Sequence, residues 1–272
     1  MTSSGKSTNA FCSEIRQALA ILADAPSRQT LRKVIRARRS PRRKALRLYQ
    51  SVRHPGGKSQ YHFTAQDGHR VYGNESMYFI QDYFSFSEQT VLLDAGAFIG
   101  DTMREYVKYA REFRRAYCVE PDRGNFIVLR EAVERSPYRD KIQLFSMALA
   151  GKNGEASFSS SGSSSRLCTK SSLVVKTIQA LDFMESLNPK PTFIKMDIEG
   201  SELEVLQAAR PYIEREKPDM AISIYHATEH LWEIPLLLHC TVPEYRIYIR
   251  HNSNDFTETV CYATIYQHKE RL

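Results

Sequence analysis

The stretch VLLDAGAFIGDT, residues 91–102, joins a short apolar run to a glycine turn and a polar segment. The apolar run has the length and composition of a buried β-strand. Gly96 permits a tight turn with close backbone approach, and Gly100 allows the following helix to begin against a sheet. The stretch therefore predicts a strand, a turn and a helix in direct succession.

The same alternation of apolar strands and amphipathic helices continues along the chain. We predict strands at 91–95, 116–120, 142–149, near 174–178, and at 193–197, 220–225, 245–249 and 260–266. Helices are predicted at 102–113, 125–135, 202–212 and 231–240. A hairpin is predicted at 61–72 and a Ser/Gly loop at 157–165. This pattern is typical of an α/β fold with a mostly parallel sheet covered on both faces. The last two strands have no helix between them, so they should pair as an antiparallel hairpin.

Carboxylates stand at the predicted ends of the first two strands. Asp94 and Asp101 flank the glycine turn, and Glu120 ends the second strand, where an acid can accept hydrogen bonds from ribose hydroxyls. The turn holds only Gly96 and Gly100, whereas a dinucleotide site uses three glycines to cradle a pyrophosphate. Acids would repel a pyrophosphate but suit an ammonium and a sulfonium. These five residues therefore favour S-adenosylmethionine over NAD, and a turn that binds nothing is the remaining alternative.

A second group of polar residues follows two later strands. Lys195, Asp197 and Glu199 lie at the end of one predicted strand, and His226 ends the next. We interpret His226 or Asp197 as the general base, with Lys195 and Glu199 organising the site. Asp197, Glu199 and His226 are also residue types that can hold Mg²⁺, but their spacing does not require a metal, so none is included in the predicted site.

The segment FIKMDIEGSE, residues 193–202, resembles the signature of the FkbM family of S-adenosylmethionine-dependent methyltransferases. Residues 93–102 and Glu120-Pro121-Asp122 with Asn125 agree with the same family in order and spacing, and the resemblance covers about residues 91–265. It implies a class I methyltransferase (Rossmann-like) fold, whose seven-stranded sheet is mostly parallel with an antiparallel last strand. It also implies O-methylation of a hydroxyl on a sugar, glycan or natural product.

The resemblance adds three residues to the expected cofactor contacts. These are Asn125, Asp197 and Ser146, the last standing where an asparagine is expected beside the adenine.

Basic residues are concentrated near the N-terminus. Residues 1–60 contain 14 Lys/Arg and two acids, a net of +12, and the rest of the chain has 24 basic and 29 acidic residues, a net of −5. Apolar residues at helical spacing on either side of Pro41 predict two short helices. We expect residues 1–60 to form a basic arm, helical or partly disordered, before a methyltransferase domain at 61–272. Such an arm suits phosphates or an anionic membrane surface.

Composition excludes several classes of protein. The 272 residues contain no apolar run of the roughly 20 residues that a bilayer-spanning helix needs. The five cysteines are scattered, which indicates reduced thiols, so we expect a cytoplasmic protein. Two alternatives to a small-molecule or glycan substrate remain open. One is an RNA ribose methyltransferase that uses the basic arm, although nucleic acid is the less favoured partner. The other is an inactive domain that binds a partner or membrane surface.

Overall fold

The computed structural model describes residues 8–38, 77–159, 166–167, 173–253 and 257–266. Its helices are α1 Thr8–Ile21, α2 Ala25–Arg38, α3 Asp101–Tyr109, α4 Arg123–Glu134, α5 Ala180–Ser186, α6 Glu202–Ala208, α7 Arg210–Glu216 and α8 His230–Thr241, with a 3-10 turn at Arg139–Lys141. Its strands are β1 Val91–Ala95, β2 Arg115–Val119, β3 Ile142–Phe145, β4 Ala148–Ala150, β5 Gly154–Ser159, β6 Arg166–Leu167, β7 Val174–Gln179, β8 Phe193–Met196, β9 Asp219–Ser223, β10 Arg246–His251 and β11 Thr259–Thr264.

Seven strands form the main sheet in the order β10-β11-β9-β8-β1-β2-β3. The strands from β9 to β3 in this order are parallel to one another, whereas β11 runs antiparallel to both β9 and β10. The predicted α/β class with an antiparallel last strand is therefore confirmed. A second sheet, in the order β4-β7-β5-β6, lies in the connection between β3 and β8.

Helices cover the main sheet on both faces because neighbouring residues of each buried strand point in opposite directions. Leu92 packs into a core rich in aromatic rings, with Phe79, Tyr106 and Phe193. Leu93 packs into the larger core on the opposite face, together with residues of α2 and α5–α8. Burial on both faces explains why β1 is apolar at every position except Asp94.

Two predicted elements are divided in the structure. The strand predicted at 142–149 is two strands, because β3 pairs with β2 in the main sheet and β4 pairs with β7 in the second sheet. The helix predicted at 202–212 ends at Ala208, and α7 starts at Arg210 with Pro211 in its first turn. Proline has no N–H to continue the preceding helix, which accounts for the break.

Two further segments differ from the sequence-based prediction. Residues 157–159 belong to β5, whereas a loop was expected there, because Ser157 pairs with β7 and the next two residues pair with β6. Helix α5 was not predicted, because only Ala180, Phe183 and Met184 of its seven residues are buried, too short a pattern to stand out.

Of the N-terminal helices, α2 packs against β10 of the main sheet and α1 packs against α8. Helix α2 confirms the first of the two predicted short helices, and its Leu31 and Val34 are fully buried in the larger core. Helix α1 was not predicted. The second predicted helix, the hairpin at 61–72 and the boundary at residue 60 lie outside the described residues. Among the helices that the structure describes, none has both the length and the apolar character required to cross a bilayer.

Candidate active site

Gly96 sits where β1 meets the end of β8. Its φ is +82°, and a Cβ atom placed on it would lie 1.9 Å from the carbonyl oxygen of Asp197. A side chain at this position would therefore overlap the backbone of the neighbouring strand end. Gly100, with φ +83°, precedes the first residue of α3. Both glycines thus have the roles that the sequence predicted for the turn, which keeps the backbone open at the carboxyl edge of the sheet.

Asp94 and Lys195 form a buried ion pair beneath this turn. The Nζ of Lys195 lies 3.0 Å from Oδ1 of Asp94 and donates to the carbonyl of Gly96 at 2.7 Å. Burial raises the pKa of Asp94 to about 6, although the charge of Lys195 opposes this shift. Burial disfavours the charge on Lys195, but the carboxylates of Asp94 and Asp197 outweigh it and raise its pKa. Lys195 therefore holds the turn, on the cofactor side of the site.

Glu120 joins the turn to the end of β2. Its Oε2 accepts from the backbone N–H of Phe98 at 2.9 Å, and its Oε1 accepts from that of Asp122 at 2.8 Å. Burial raises the pKa of Glu120 to about 7, although these hydrogen bonds and one from Asn125 oppose the shift. A buried carboxylate in this position retains lone pairs that can accept hydrogen bonds from a diol.

The remaining predicted cofactor residues surround the same crevice. Asn125 lies in the first turn of α4, which Asp122 caps by accepting from the backbone N–H groups of Gly124 and Asn125. Asp101 is exposed at the first residue of α3, and Ser146 is exposed directly after β3. The carboxyl ends of β1, β2 and β3 thus bring the predicted contacts to one edge of the sheet. These residues fit S-adenosylmethionine, since Gly96 and Gly100 place no side chain at the two ends of the turn and acids lie on either side of it.

The second predicted group forms a cluster around His226. Its Nε2 lies 3.4 Å from Oδ1 of Asp197 and 3.4 Å from Oε2 of Glu199, while its Nδ1 lies 2.8 Å from Oε1 of Glu202. The imidazole is 8% exposed, and Glu202 is fully buried. Three carboxylates around one buried imidazole give this part of the site a strong preference for positive charge.

The carboxylates determine the protonation state of His226. Burial alone would lower its pKa, but hydrogen bonding to Glu199 and Glu202 and the charge of Asp197 raise it to about 10. Burial of Glu202 would raise the pKa of its carboxyl, yet hydrogen bonds from His226 and His230 hold it well below its usual value. His226 is therefore an imidazolium at neutral pH, which is an acid and an electrostatic group but has no free lone pair to accept a proton.

Sequence reasoning missed three groups that contact Asp197 and its neighbours. The hydroxyl of Tyr78 donates to Oδ2 of Asp197 at 2.9 Å, and that of Tyr225 lies 3.2 Å from Oδ1. Glu202 accepts from the backbone N–H groups of Ile198 and Gly200. Glu202 is indistinguishable in sequence from an ordinary acid at a helix start, and Tyr225 from a core aromatic. Tyr78 had no signal at all, because it is 119 residues from its partner.

Asp197, Glu202 and His226 are also positioned as a metal-binding group. One ligand atom from each lies within 4.8 Å of the other two. The set differs from the three residues considered above as Mg²⁺ ligands, which the sequence did not require, in having Glu202 in place of Glu199. One oxygen of Glu202 already accepts from two backbone N–H groups. In this structure the same side chains contact one another, with Nδ1 of His226 2.8 Å from Oε1 of Glu202.

Comparison with known proteins places this site in a family. The model described as the methyltransferase FkbM domain matches residues 94–257. The hexuronic acid methyltransferase AglP of Haloferax volcanii is 30% identical over 125 residues, which are 44% of this chain and 50% of that protein. The crystal structure of methyltransferase FkbM from Methylobacillus flagellatus superimposes with a TM-score of 0.72 at 25% identity, covering 93% of this chain and 59% of that one.

The chain spans about half the length of the curated relative and under two thirds of the solved structure. The family match is broader within this chain, because it takes in every strand from the end of β1 to β10. It also includes the glycine turn, Glu120 and the cluster around His226. The chain therefore belongs to the FkbM family of methyltransferases.

Proposed function

We propose that this protein transfers a methyl group from S-adenosylmethionine to a hydroxyl of a sugar or glycan. The contact between Gly96 and Asp197 carries the proposal. Because the glycine turn touches the carbonyl of Asp197, the cofactor crevice and the carboxylate at the end of β8 are adjacent. A methyl donor in the crevice and a hydroxyl at Asp197 would thus be held side by side, which is the main requirement for an in-line displacement.

Within this proposal the chain has three tasks. Gly96, Glu120 and Asn125 bind and orient the nucleoside, which supplies an electrophilic methyl group when bound. Asp197 is the base that takes the proton of the acceptor hydroxyl, since its side chain is 20% exposed and its carboxylate can accept. His226, already protonated, stabilises the negative charge that develops on the acceptor oxygen. The pKa of His226 supports Asp197 over His226 as the base.

The substrate class rests on charge and on a relative. AglP is named for a hexuronic acid, a sugar that carries a carboxylate. In this chain, Arg38 at the end of α2 donates to the carbonyl of Tyr225, next to His226. One cation of the basic N-terminal segment therefore lies beside the acceptor side of the site. We propose that this positive charge favours an acidic sugar. We also propose that the rest of the basic arm binds phosphates or an anionic membrane surface.

Two measurements on the full chain test the proposal. Titration calorimetry with S-adenosylhomocysteine should show binding, and mass spectrometry should detect a methylated product among uronic acids, neutral hexoses, hydroxylated macrolides and RNA. We expect uronic acids to be the best acceptors. Asp197→Asn should lower the rate of transfer by about 100-fold or more, because a general base contributes on that scale. Asp140→Asn, a matched change on an exposed turn, should leave the rate unchanged.

Three results would contradict the proposal. The absence of binding heat together with the absence of any methylated product would exclude a methyltransferase. Methylated ribose in RNA as the sole product would favour the alternative substrate. If Asp197→Asn kept near-wild-type turnover while His226→Gln lost activity, His226 and not Asp197 would be the general base.

A further inference from the structure

Tyr78 lies outside the residues that match the family, which begin at residue 94. Nevertheless its side chain is 6% exposed and reaches the centre of the site. Its hydroxyl is 2.9 Å from Oδ2 of Asp197 and 3.2 Å from Oγ of Ser223 on β9. A residue from the segment that precedes the main sheet thus makes the shortest hydrogen bond to the carboxylate that we propose as the base.

The direction of this hydrogen bond follows from the environment of Tyr78. Burial, together with the charges of Asp197 and Glu258, raises the pKa of the phenol well above its usual value. The hydroxyl therefore keeps its proton throughout the pH range in which enzymes are assayed. A carboxylate has no proton to give, so Tyr78 donates and Asp197 accepts. Tyr78 cannot serve as a base, and its contribution must come through Asp197.

The ring of Tyr78 connects the two halves of the site. The Nζ of Lys195 lies 5.1 Å from the ring centroid, and the same Nζ binds Asp94 and the carbonyl of Gly96. The preceding residue is fixed as well, since the carbonyl of Met77 accepts from the hydroxyl of Tyr262 at 2.6 Å. Tyr78 is consequently held by its backbone, its ring and its hydroxyl, which is the constraint expected of a group that orients another.

We propose that Tyr78 is a positioning residue that fixes the carboxylate of Asp197, leaving its Oδ1 edge for the acceptor hydroxyl. This inference rests on the proposed function. With Oδ2 held by Tyr78, the opposite oxygen is the one near the imidazolium of His226, and the hydroxyl of Tyr225 lies 3.2 Å from Oδ1 and 3.4 Å from Oδ2. A rotation of the carboxylate would exchange these oxygens and misalign the proton acceptor with the acceptor hydroxyl. Positioning errors of this kind reduce the rate of reaction more than binding.

The test removes a single oxygen atom. Tyr78→Phe deletes the hydroxyl and keeps the ring against Lys195. Tyr212→Phe is the matched control, because Tyr212 is also buried and donates to the carbonyl of Pro191 at 2.8 Å, just before β8 begins. That carbonyl lies at the opposite end of β8 from Asp197. Four variants are compared with the wild type: Tyr78→Phe, Tyr212→Phe, Asp197→Asn and the double variant Tyr78→Phe/Asp197→Asn. The quantities measured are kcat, acceptor KM and affinity for S-adenosylhomocysteine.

We expect Tyr78→Phe to lower kcat by about 10-fold, the effect of one hydrogen bond to a charged group, with acceptor KM and nucleoside affinity within about threefold of wild type. Tyr212→Phe should leave kcat within about twofold. The loss caused by Tyr78→Phe should disappear when Asp197 is already asparagine, because the two residues act as a unit.

Wild-type kcat in Tyr78→Phe, or a kcat loss equal to that of Tyr212→Phe, would overturn the inference while leaving the proposed function intact. A loss of equal size in the Asp197→Asn background would do the same. If the wild-type chain neither binds the nucleoside nor transfers a methyl group, the proposed function itself fails, and the role of Tyr78 fails with it.

Discussion

Single residues in this site have acid–base properties that their neighbours determine. Glu120 and Asp94 are carboxyls whose pKa values burial raises toward neutrality, whereas the carboxylates around His226 raise its pKa to about 10. Perturbed groups of this kind concentrate where ligands bind and reactions occur. Here they fall on the ends of β1, β2 and β9, at the same edge of the sheet.

Binding of the nucleoside should depend on the ionisation of Glu120. Its pKa of about 7 means that it is mostly protonated at pH 6 and mostly ionised at pH 8. The ionised form is the better acceptor for ribose hydroxyls, so affinity for S-adenosylhomocysteine should rise by about tenfold from pH 6 to pH 8. Titration calorimetry at several pH values measures this.

Glu120→Gln is the control for other titrating groups, among them Asp94. The variant should bind more weakly at pH 8, and its affinity should change much less with pH. If the affinity of the wild type stays constant or falls from pH 6 to pH 8, Glu120 does not accept hydrogen bonds from the ribose.

At the scale of elements, α2 is attached to the last two strands through a buried polar contact. The Oγ of Ser27 accepts from the backbone N–H of Ile249 at 3.0 Å and from Nη1 of Arg250 at 2.8 Å. Asp24, before the helix, accepts from Nη2 of Arg250 at 2.6 Å. These contacts give hydrogen-bond acceptors to two buried donors of β10, the backbone N–H of Ile249 and the guanidinium of Arg250.

Ser27→Ala should therefore destabilise the protein. The change leaves an N–H group without its acceptor and removes one partner of a buried guanidinium, so the free energy of unfolding should fall by about 2–3 kcal/mol. Urea unfolding measures the change. Ser13→Ala, on α1, removes only a long contact with Gln17 and should cost less than about 0.5 kcal/mol. Equal stability of the two variants would mean that α2 is not anchored through Ser27.

Considered as a whole, the described residues form two cores on either side of one sheet, and the N-terminal helices share the larger core. Leu22 bridges to Ile247 of β10, and Leu31 is fully buried among residues of the methyltransferase domain. Trp232, the only tryptophan in the sequence, donates to Glu14 of α1 at 3.1 Å. Its fluorescence should therefore report on the packing of α1 against α8.

Leu31→Ala should weaken the entire fold. A large buried side chain replaced by alanine costs about 2–5 kcal/mol, and shared packing predicts that the loss appears in one transition. Tryptophan fluorescence and far-ultraviolet circular dichroism should give the same urea midpoint. Ile127→Ala, at an exposed position of α4, should cost less than about 1 kcal/mol. Separate midpoints for the two signals would show that the N-terminal helices unfold independently.

Much of the fold could be predicted because its signals are local. The apolar run at 91–95, the glycine turn and the acids that end β1 and β2 are each readable within a few residues, and parallel pairing brings strand ends together. The division at 142–149 could not be predicted, since both halves are apolar and only their partners, β2 and β7, distinguish them.

The features of the site also fall into those that local sequence predicts and those that it does not. The sequence alone determined the glycine turn, the strand-end carboxylates and the presence of His226 beside Asp197, because strand periodicity and turn chemistry specify them. Only the tertiary structure decided that Lys195 pairs with Asp94, that Glu202 keeps His226 protonated, and that Tyr78 donates to Asp197. Protonation and hydrogen bonding depend on burial and on neighbours distant in sequence, and these exist only once the chain has folded.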